Sequence, residues 1–308
     1  MPATVMHNPA CFANHMGAWA VEPAWFAQAL DAVRRNAWPT RSTADRQAAL
    51  TEQAHGVMDS YAVTAEGVAI VSLSGVMMKG TSKFEDCCNT LAVRQQLRDA
   101  AGNNAVASIV LVIDSPGGRI AGTLELANDV RAVDAVKPVH AYVDDMCCSA
   151  AYWVAAQARR ITSNAVAMVG SLGVFVVLQD VTKMADAQGI KVHLISSGAF
   201  KGAGTPGTPV TSEHLVEVQR IVDQTNQHFM ESVSNGRQMP MDKLHDLFDG
   251  RVHLAGDAKK LGLVDGIQSL DDTVAELAAK GPKWGKKRGA RAEQAEALIA
   301  IALQNNTI

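Results

Sequence analysis

Two residues of this chain have side chains suited to covalent chemistry in surroundings that are poor in charge. Ser149 lies in the stretch Cys-Cys-Ser-Ala-Ala-Tyr-Trp, whose small residues leave room for another chain to approach its hydroxyl. Lys201 lies in Gly-Ala-Phe-Lys-Gly-Ala-Gly-Thr-Pro, with no carboxylate within four positions on either side. A lysine accepts a proton only when it is neutral, and a dry site without a carboxylate favours the neutral form. The simpler alternatives are that Ser149 caps a helix and that Lys201 is an exposed loop residue.

Three turns built from small residues follow predicted strands and could position this chemistry. Ser-Pro-Gly-Gly (115–118) comes directly after an apolar run, Ser149 follows the next strand, and Gly-Ser-Leu-Gly-Val (170–174) follows a third. Proline fixes φ, and paired glycines allow a sharp turn that points backbone N–H groups outward. Such amides can stabilise an oxyanion, although the same four residues also form ordinary turns.

Strand and helix patterns alternate from residue 61 onward and predict the scaffold around these turns. Apolar runs of β-favouring residues predict strands, and amphipathic runs predict helices. Because the two types alternate, the sequence predicts a mainly parallel α/β core. The predicted strands are 67–77, 106–114, 138–145, 160–174 and 191–198, and the predicted helices are 90–102, 123–134, 149–158, 182–189 and 211–234.

The two ends of the chain differ from this core. Residues 1–60 predict a partly helical extension, with helical spacing after Pro23 that ends at Trp38-Pro39. Residues 61–270 predict one domain, in which 244–267 forms a small α/β cap. Residues 271–308 predict a basic, glycine-rich linker around 281–291 and a short apolar helix at 292–303, and the basic run is typical of a solvated segment.

The composition excludes several classes of protein. The chain has 308 residues, of which 48% are hydrophobic and 19% charged, which is typical of a globular protein. The net charge of −3 gives no reason to expect a nucleic-acid or acidic-membrane partner. The N-terminus lacks the pattern of a secretory signal, and no uncharged apolar run is long enough to span a bilayer. We therefore expect a cytoplasmic protein without a membrane span.

The five cysteines favour a reduced compartment and no metal site. They occur as Cys11 and two adjacent pairs, Cys87-Cys88 and Cys147-Cys148, and none has zinc-binding spacing. We expect neither a metal nor a cofactor. The pair beside Ser149 raises the alternative of a cysteine nucleophile. This alternative is disfavoured because no histidine follows at a helpful position and small buried cysteines are common.

An ordinary Ser-His-Asp triad is also disfavoured by the positions of the histidines and carboxylates. His140 and His193 fall within predicted strands, where a satisfied core or edge role is expected. Asp144 and Asp145 lie just before the Ser149 turn, and we interpret them as turn and cap residues; the alternative is that they shape the charge preference for a substrate.

Several motifs in a fixed order resemble the S49 peptidase family. The order is Ser-Pro-Gly-Gly, Ser-Ala-Ala-Tyr-Trp, Gly-Ser-Leu-Gly-Val, Phe-Lys-Gly-Ala-Gly-Thr-Pro and finally Gly-Arg-Val-His-Leu-Ala-Gly-Asp-Ala-Lys-Lys-Leu-Gly-Leu-Val-Asp. The resemblance covers roughly residues 65–268. The family includes signal peptide peptidase A and head maturation proteases of tailed phages. The resemblance implies a crotonase/ClpP-like α/β core of parallel strands and helices, here with a helical N-terminal extension.

The resemblance also implies a set of site residues. Ser149 matches the nucleophile and Lys201 the general base, while Ser171 matches the polar residue that hydrogen-bonds the lysine. The backbone amides of Gly118 and Ala150 match the oxyanion hole. One departure is visible, because signal peptide peptidases usually have Ser-Gly-Gly where this chain has Ser-Ala-Ala. The alanines narrow the site but leave the amide of Ala150 usable.

The resemblance finally implies a function and partners. The leading hypothesis is a Ser-Lys endopeptidase that cleaves capsid, portal or scaffold proteins during phage head maturation, in the host cytoplasm or the prohead. A homo-oligomer is implied, and in some relatives the lysine reaches the serine of a neighbouring subunit. The alternatives are a cytoplasmic, signal peptide peptidase-like degrading enzyme, a non-catalytic assembly protein, and a crotonase-type acyl-CoA enzyme, which would need a carboxylate base and would not use Lys201.

Overall fold

The structure is a computed structural model that describes residues 19–21, 61–80 and 87–284. The helical spacing predicted after Pro23, the centre of the basic linker and the helix predicted at 292–303 lie outside the described residues. In the described part, no helix is both long and apolar enough to cross a membrane.

Twelve strands are present in the described ranges. In chain order they are β1 Trp19–Val21, β2 Ala62–Val63, β3 Val68–Ser74, β4 Val76–Met78, β5 Cys87–Asn89, β6 Ser108–Ser115, β7 Gly117–Arg119, β8 Val139–Cys148, β9 Arg160–Ser163, β10 Met168–Gly170, β11 Val252–Leu254 and β12 Gly266–Ile267.

Eight helices accompany them in the same ranges. They are α1 Thr90–Gly102, α2 Thr123–Val136, α3 Ala150–Ala155, α4 Thr182–Ala187, α5 Ser212–Arg237, α6 Met241–Leu247, α7 Ala255–Leu261 and α8 Leu270–Trp284. The predicted mixed α/β fold is therefore confirmed.

The larger sheet carries the predicted parallel core. Its strands follow the order β11-β10-β8-β6-β3-β2, in which β3, β6, β8 and β10 run parallel and the outer strands β2 and β11 run antiparallel to their neighbours. Strand β9 pairs with the first half of β8, and β10 pairs with its last residues. Strand β6 is buried along most of its length, because parallel strands are covered on both faces.

A smaller sheet lies beside the end of β6. Its order is β1-β7-β4-β5, with β4 parallel to both β5 and β7 and with β1 antiparallel to β7. Strand β7 belongs to the Ser-Pro-Gly-Gly turn, so this sheet fixes the backbone of the turn.

Helix packing holds the two sheets in place. Arg94 and Arg98 of α1 form ion pairs of 2.6 and 3.0 Å with Asp129 of α2. Trp153 of α3 stacks on Phe229 of α5, with ring centroids 4.6 Å apart. Aromatic stacking and burial of this kind fix α3, the helix that begins directly after Ser149.

Several predicted elements differ from the structure. The strand predicted at 160–174 is divided into β9 and β10, because residues 164–167 form a turn between them. The prediction of a strand at 191–198 is wrong, since these residues are exposed and form no ladder with the rest of the described chain. A strand requires a neighbour for its backbone groups, and none of the described residues supplies one here. The helix predicted at 149–158 is shorter and spans Ala150–Ala155.

Candidate active site

Ser149 occupies a strained turn between β8 and α3. Its φ of 53° and ψ of −117° lie outside the regions that non-glycine residues favour. In the described part of the chain, three non-glycine residues have positive φ, namely Ser149, Ser171 and Gln238. Strain of this kind persists where the surrounding structure fixes the backbone, and it clusters at functional sites. Two of the three strained positions are thus the serines that the sequence singled out.

The hydroxyl of Ser149 does not cap the helix that follows it. Ser149 precedes α3 without a side-chain capping hydrogen bond, so the simple cap interpretation is excluded by the structure. Its Oγ instead donates a hydrogen bond of 3.3 Å to the carbonyl of Gly173. The residue is 1% exposed. The nucleophile candidate is therefore a buried hydroxyl that makes one long hydrogen bond to the described residues.

Ser171 lies beside Ser149 because two neighbouring parallel strands end at the same level. The register of β10 against β8 pairs Gly170 with Cys148, so the residue after each pair is one of the two serines. The amide of Ser149 donates to the carbonyl of Gly170 at 2.8 Å, and the amide of Ser171 donates to the carbonyl of Arg251 at 2.7 Å. Both turns are thus tied to their neighbours through the backbone.

The Ser-Pro-Gly-Gly turn reaches the same edge of the sheet. The ladder between β6 and β8 pairs Ser115 with Cys147, two residues before Ser149. Strand β7 packs against α3, which begins at the buried Ala150. The two proposed oxyanion residues, Gly118 and Ala150, therefore belong to elements in contact with each other.

Position 118 requires glycine for a packing reason. A Cβ placed on Gly118 would overlap the backbone of Met77 in β4. Only a residue without a side chain allows β7 to run this close to β4. The second glycine of the turn is thus explained by close backbone approach.

Ser115 has a structural role that the sequence analysis missed. Its hydroxyl donates to the carbonyl of Gly75 at 2.7 Å and accepts a hydrogen bond of 3.2 Å from the amide of Gly117. These two bonds anchor the turn that carries Gly118. The sequence offered one indication of this role: Ser115 is the first residue of Ser-Pro-Gly-Gly, and serine side chains commonly hydrogen-bond to the backbone of turns.

Lys201 lies on an exposed turn of the single chain. Its amide donates to the carbonyl of Gly198 at 3.0 Å, and its side chain forms no hydrogen bond or ion pair with the described residues. The residues that the structure describes do not provide the dry surroundings expected from the sequence. Several apolar side chains in and around this segment are exposed as well, namely Ile190, Val192, Leu194, Ile195, Phe200, Leu215, Val216 and Ile221.

The alternative nucleophile and base candidates have other roles. Cys147 is fully buried, and burial raises the pKa of its thiol well above the usual value, with the neighbouring Cys148 as a smaller cause. A thiol in this state is a poor nucleophile. His140 is a buried core residue bonded to Thr162 at 3.1 Å, as predicted. His193 is exposed and outside any strand, so its predicted strand role is wrong.

The two carboxylates that precede Ser149 belong to strand β8. Asp144 and Asp145 lie within β8, so their interpretation as turn and cap residues is wrong. Between the pairs Ile113–Val143 and Ser115–Cys147, β8 has three residues where β6 has one, so the two aspartates lie in an irregular part of β8. The strand continues past them because Cys147 and Cys148 pair with β10. Burial raises the pKa of nearby Asp114, and repulsion from Asp145 and Asp144 adds to the effect.

Comparisons with known proteins agree with the motifs. Residues 131–282 match peptidase family S49. A protein from Methanocaldococcus jannaschii whose name includes the word protease is 32% identical over 181 residues, covering 59% of this chain and 58% of the relative. Capsid assembly protease C of Escherichia phage lambda is 28% identical over 70% of this chain and 49% of its own length. Protease 4 of Haemophilus influenzae is 28% identical over 67% of this chain and 34% of its own length.

The matched range includes four of the five predicted site residues. Ser149, Ala150, Ser171 and Lys201 lie within it, whereas Gly118 lies on its N-terminal side. The chain spans between a third and three fifths of the length of these three relatives. With the strained serine, the paired turns and the parallel core in place, the match over residues 131–282 makes this chain similar to peptidase family S49.

Proposed function

We propose that this protein is a serine endopeptidase with Ser149 as nucleophile and Lys201 as general base. The observation that carries the proposal is the conformation of Ser149. It is a strained, buried residue at the end of a parallel strand, and its hydroxyl is not used as a helix cap. A serine on a sharp strand-to-helix turn is the arrangement in which a hydroxyl is held for attack on a carbonyl.

The proposed reaction uses the side chains and amides around this turn. Neutral Lys201 removes the proton from the Ser149 hydroxyl, and Oγ attacks the peptide carbonyl carbon. The amides of Gly118 and Ala150 donate to the oxyanion. Lys201 then gives its proton to the departing amine, and water hydrolyses the acyl-enzyme to regenerate Ser149. Ser171 holds the lysine amine in position.

Lys201 can act as the base if another subunit covers the surface on which it lies. Lys201 is exposed in the single chain, and a charged, solvated lysine is a poor base. The segment around it exposes large apolar side chains, with Ile195 96% exposed. Contact with a second copy would bury these side chains and remove water from the amine at the same time. We therefore propose a homo-oligomer in which Lys201 of one subunit serves Ser149 of its neighbour.

The proposed substrates are proteins of a phage head. The support is the relative named capsid assembly protease C, which is 28% identical over 218 residues. Capsid, portal and scaffold proteins are the corresponding substrates for this chain, in the host cytoplasm or the prohead. Cleavage of a purified prohead protein at a defined bond, compared with cleavage of unstructured casein, separates this role from general protein degradation.

A mixing experiment tests the dyad and its location together. Ser149→Ala and Lys201→Ala chains are each expressed alone and then co-expressed with different tags, and casein cleavage is measured. Each variant alone is expected to be inactive. If the dyad crosses the interface, random mixed oligomers regain roughly a quarter of wild-type activity, because half of the serines meet half of the lysines.

Two outcomes would contradict the proposal in different ways. Mixed oligomers without activity would place both residues of the dyad in one chain. Normal cleavage by Lys201→Ala would exclude this lysine as the base. Lys183→Ala is the matched control, since Lys183 is another exposed lysine of the same region.

A further inference from the structure

Strand β1 occupies the edge of the strand that carries the proposed oxyanion amide. The smaller sheet has the order β1-β7-β4-β5, so β4 covers one side of β7 and β1 covers the other. The pairing is antiparallel, with Trp19 opposite Arg119, Ala20 opposite Gly118 and Val21 opposite Gly117. The residue paired with Gly118 thus comes from the N-terminal part of the same chain.

The same edge is where an extended peptide would have to bind. A scissile carbonyl that accepts a hydrogen bond from Gly118 must come within about 3 Å of its amide. A peptide there would lie alongside β7 at the usual strand spacing of about 4.8 Å. Because β4 closes the opposite side, the remaining edge is the one that β1 fills. Strand addition to an open edge is a general mode of peptide recognition.

Three features suit β1 to act as a removable occupant. It is three residues long, and within the described part of the chain its ladder is formed with β7 alone. A ladder this short contributes few hydrogen bonds and is easily displaced. It also lies more than forty positions before the domain that contains β7, as a separate segment of the sequence.

We propose that Trp19–Val21 binds β7 as an internal peptide ligand, which blocks the substrate-binding edge of the protein until it is displaced. The protein would then be made in a self-inhibited form, and an extended segment of a substrate would compete with β1 for β7. This inference rests on the proposed peptidase function. It adds to that function a binding strand, β7, and a defined competitor for it.

A reversible crosslink tests the pairing without relying on activity. Directly opposed residues of an antiparallel pair have Cα atoms about 4.5–5.5 Å apart, which is within the range of a disulfide. In the full chain, Trp19→Cys combined with Arg119→Cys is expected to form a bridge on mild oxidation. Mass spectrometry of tryptic peptides distinguishes this bridge from bridges to the native cysteines. The single variants Trp19→Cys and Arg119→Cys are the controls.

The Trp19→Cys/Arg119→Cys variant also tests whether β1 blocks substrate binding to β7. Casein cleavage is expected to be lost on oxidation and restored by reduction, whereas the single variants should not respond. A second full-chain variant, Ala20→Pro/Val21→Pro, removes backbone donors from β1 whichever pairs are hydrogen-bonded. It is expected to cleave casein roughly tenfold faster than the wild type, because the open form becomes the main population. Ala13→Pro/Asn14→Pro is the matched control upstream of the strand.

The outcomes separate this inference from the proposed function. Failure of the 19–119 bridge to form, with normal cleavage by the wild type, would overturn the pairing and leave the peptidase standing. A bridge that forms but does not change cleavage would overturn the block. If no variant cleaves casein in either redox state, the peptidase proposal fails, and the internal ligand fails with it.

Discussion

The amide of Ser149 donates a hydrogen bond of 2.8 Å to the carbonyl of Gly170, which joins the turn after β8 to the turn after β10. This bond continues the ladder between the two strands by one residue, past the last pair, Cys148 and Gly170. It holds Ser149 at a positive φ that an isolated serine would avoid. The hydroxyl is therefore positioned by the sheet and not by its own side-chain preferences.

Replacement of Ser149 tests the nucleophile. Ser149→Ala is expected to reduce casein cleavage by about a thousandfold or more, because the attacking oxygen is lost. The fold should persist, since the backbone bonds of this turn do not involve the hydroxyl. Ser108→Ala is a suitable control, because Ser108 is a buried serine of β6 whose hydroxyl has no partner in the structure. An active Ser149→Ala protein would exclude this residue as nucleophile.

Relief of the backbone strain at Ser149 should be measurable as stability. Ser149→Gly is expected to raise the free energy of unfolding by about 1 kcal/mol relative to Ser149→Ala, because glycine tolerates positive φ. Urea denaturation of the two inactive variants gives the difference directly. Equal stability would mean that the turn is not strained in solution.

Substitution of Gly118 should disturb both the fold and the reaction. The Cβ of Gly118→Ala would overlap the backbone of Met77, so β7 and β4 must separate. We expect a loss of about 1–3 kcal/mol in the free energy of unfolding, together with a loss of cleavage. Gly102→Ala at the end of α1 is the control, since a Cβ there meets no atom within 4 Å. A stable, active Gly118→Ala protein would contradict the close approach of the two strands.

His140 should make the fold sensitive to acid. Burial, with the positive charge of Arg160 as a smaller cause, lowers the pKa of His140 to about 4. The unfolded state therefore binds the proton more tightly, with a pKa of about 6.5 for a free histidine. The contribution of His140 to stability is complete above pH 6.5 and is lost as the pH falls towards 4, a change of about 3 kcal/mol.

Urea denaturation at pH 7 and pH 4.5 checks this expectation. The wild type should lose more stability between these values than His140→Gln, whose amide can still bond to Thr162. His193→Gln is the control, because His193 is exposed. The same pH dependence in the wild type and in His140→Gln would exclude His140 as the cause.

The exposed apolar segment should control assembly. Ile195→Glu is expected to shift the protein to smaller species in analytical ultracentrifugation and to abolish cleavage, because a charge would be buried in the proposed interface. Val166→Glu is the matched control, since Val166 is also exposed, at 73%, but lies in the turn between β9 and β10. An unchanged sedimentation profile for Ile195→Glu would place the interface elsewhere.

The sequence alone predicted the α/β fold class correctly, and it predicted a set of site residues whose catalytic roles stay a prediction. Apolar runs and helical periodicity are local properties, so α1, α2 and α5 lie close to their predicted positions. The small-residue turns also identified Ser149, Ser171 and Gly118 directly from their neighbours in the chain.

The tertiary structure decided what these residues meet. The prediction of a strand at 191–198 failed because a strand depends on a partner that sequence periodicity does not reveal. The positive φ of Ser149 and the contact of Gly118 with Met77 depend on which strands end side by side. The pairing of β1 with β7 joins residues about a hundred positions apart, and such long-range contacts are fixed by the folded sheet rather than by local pattern.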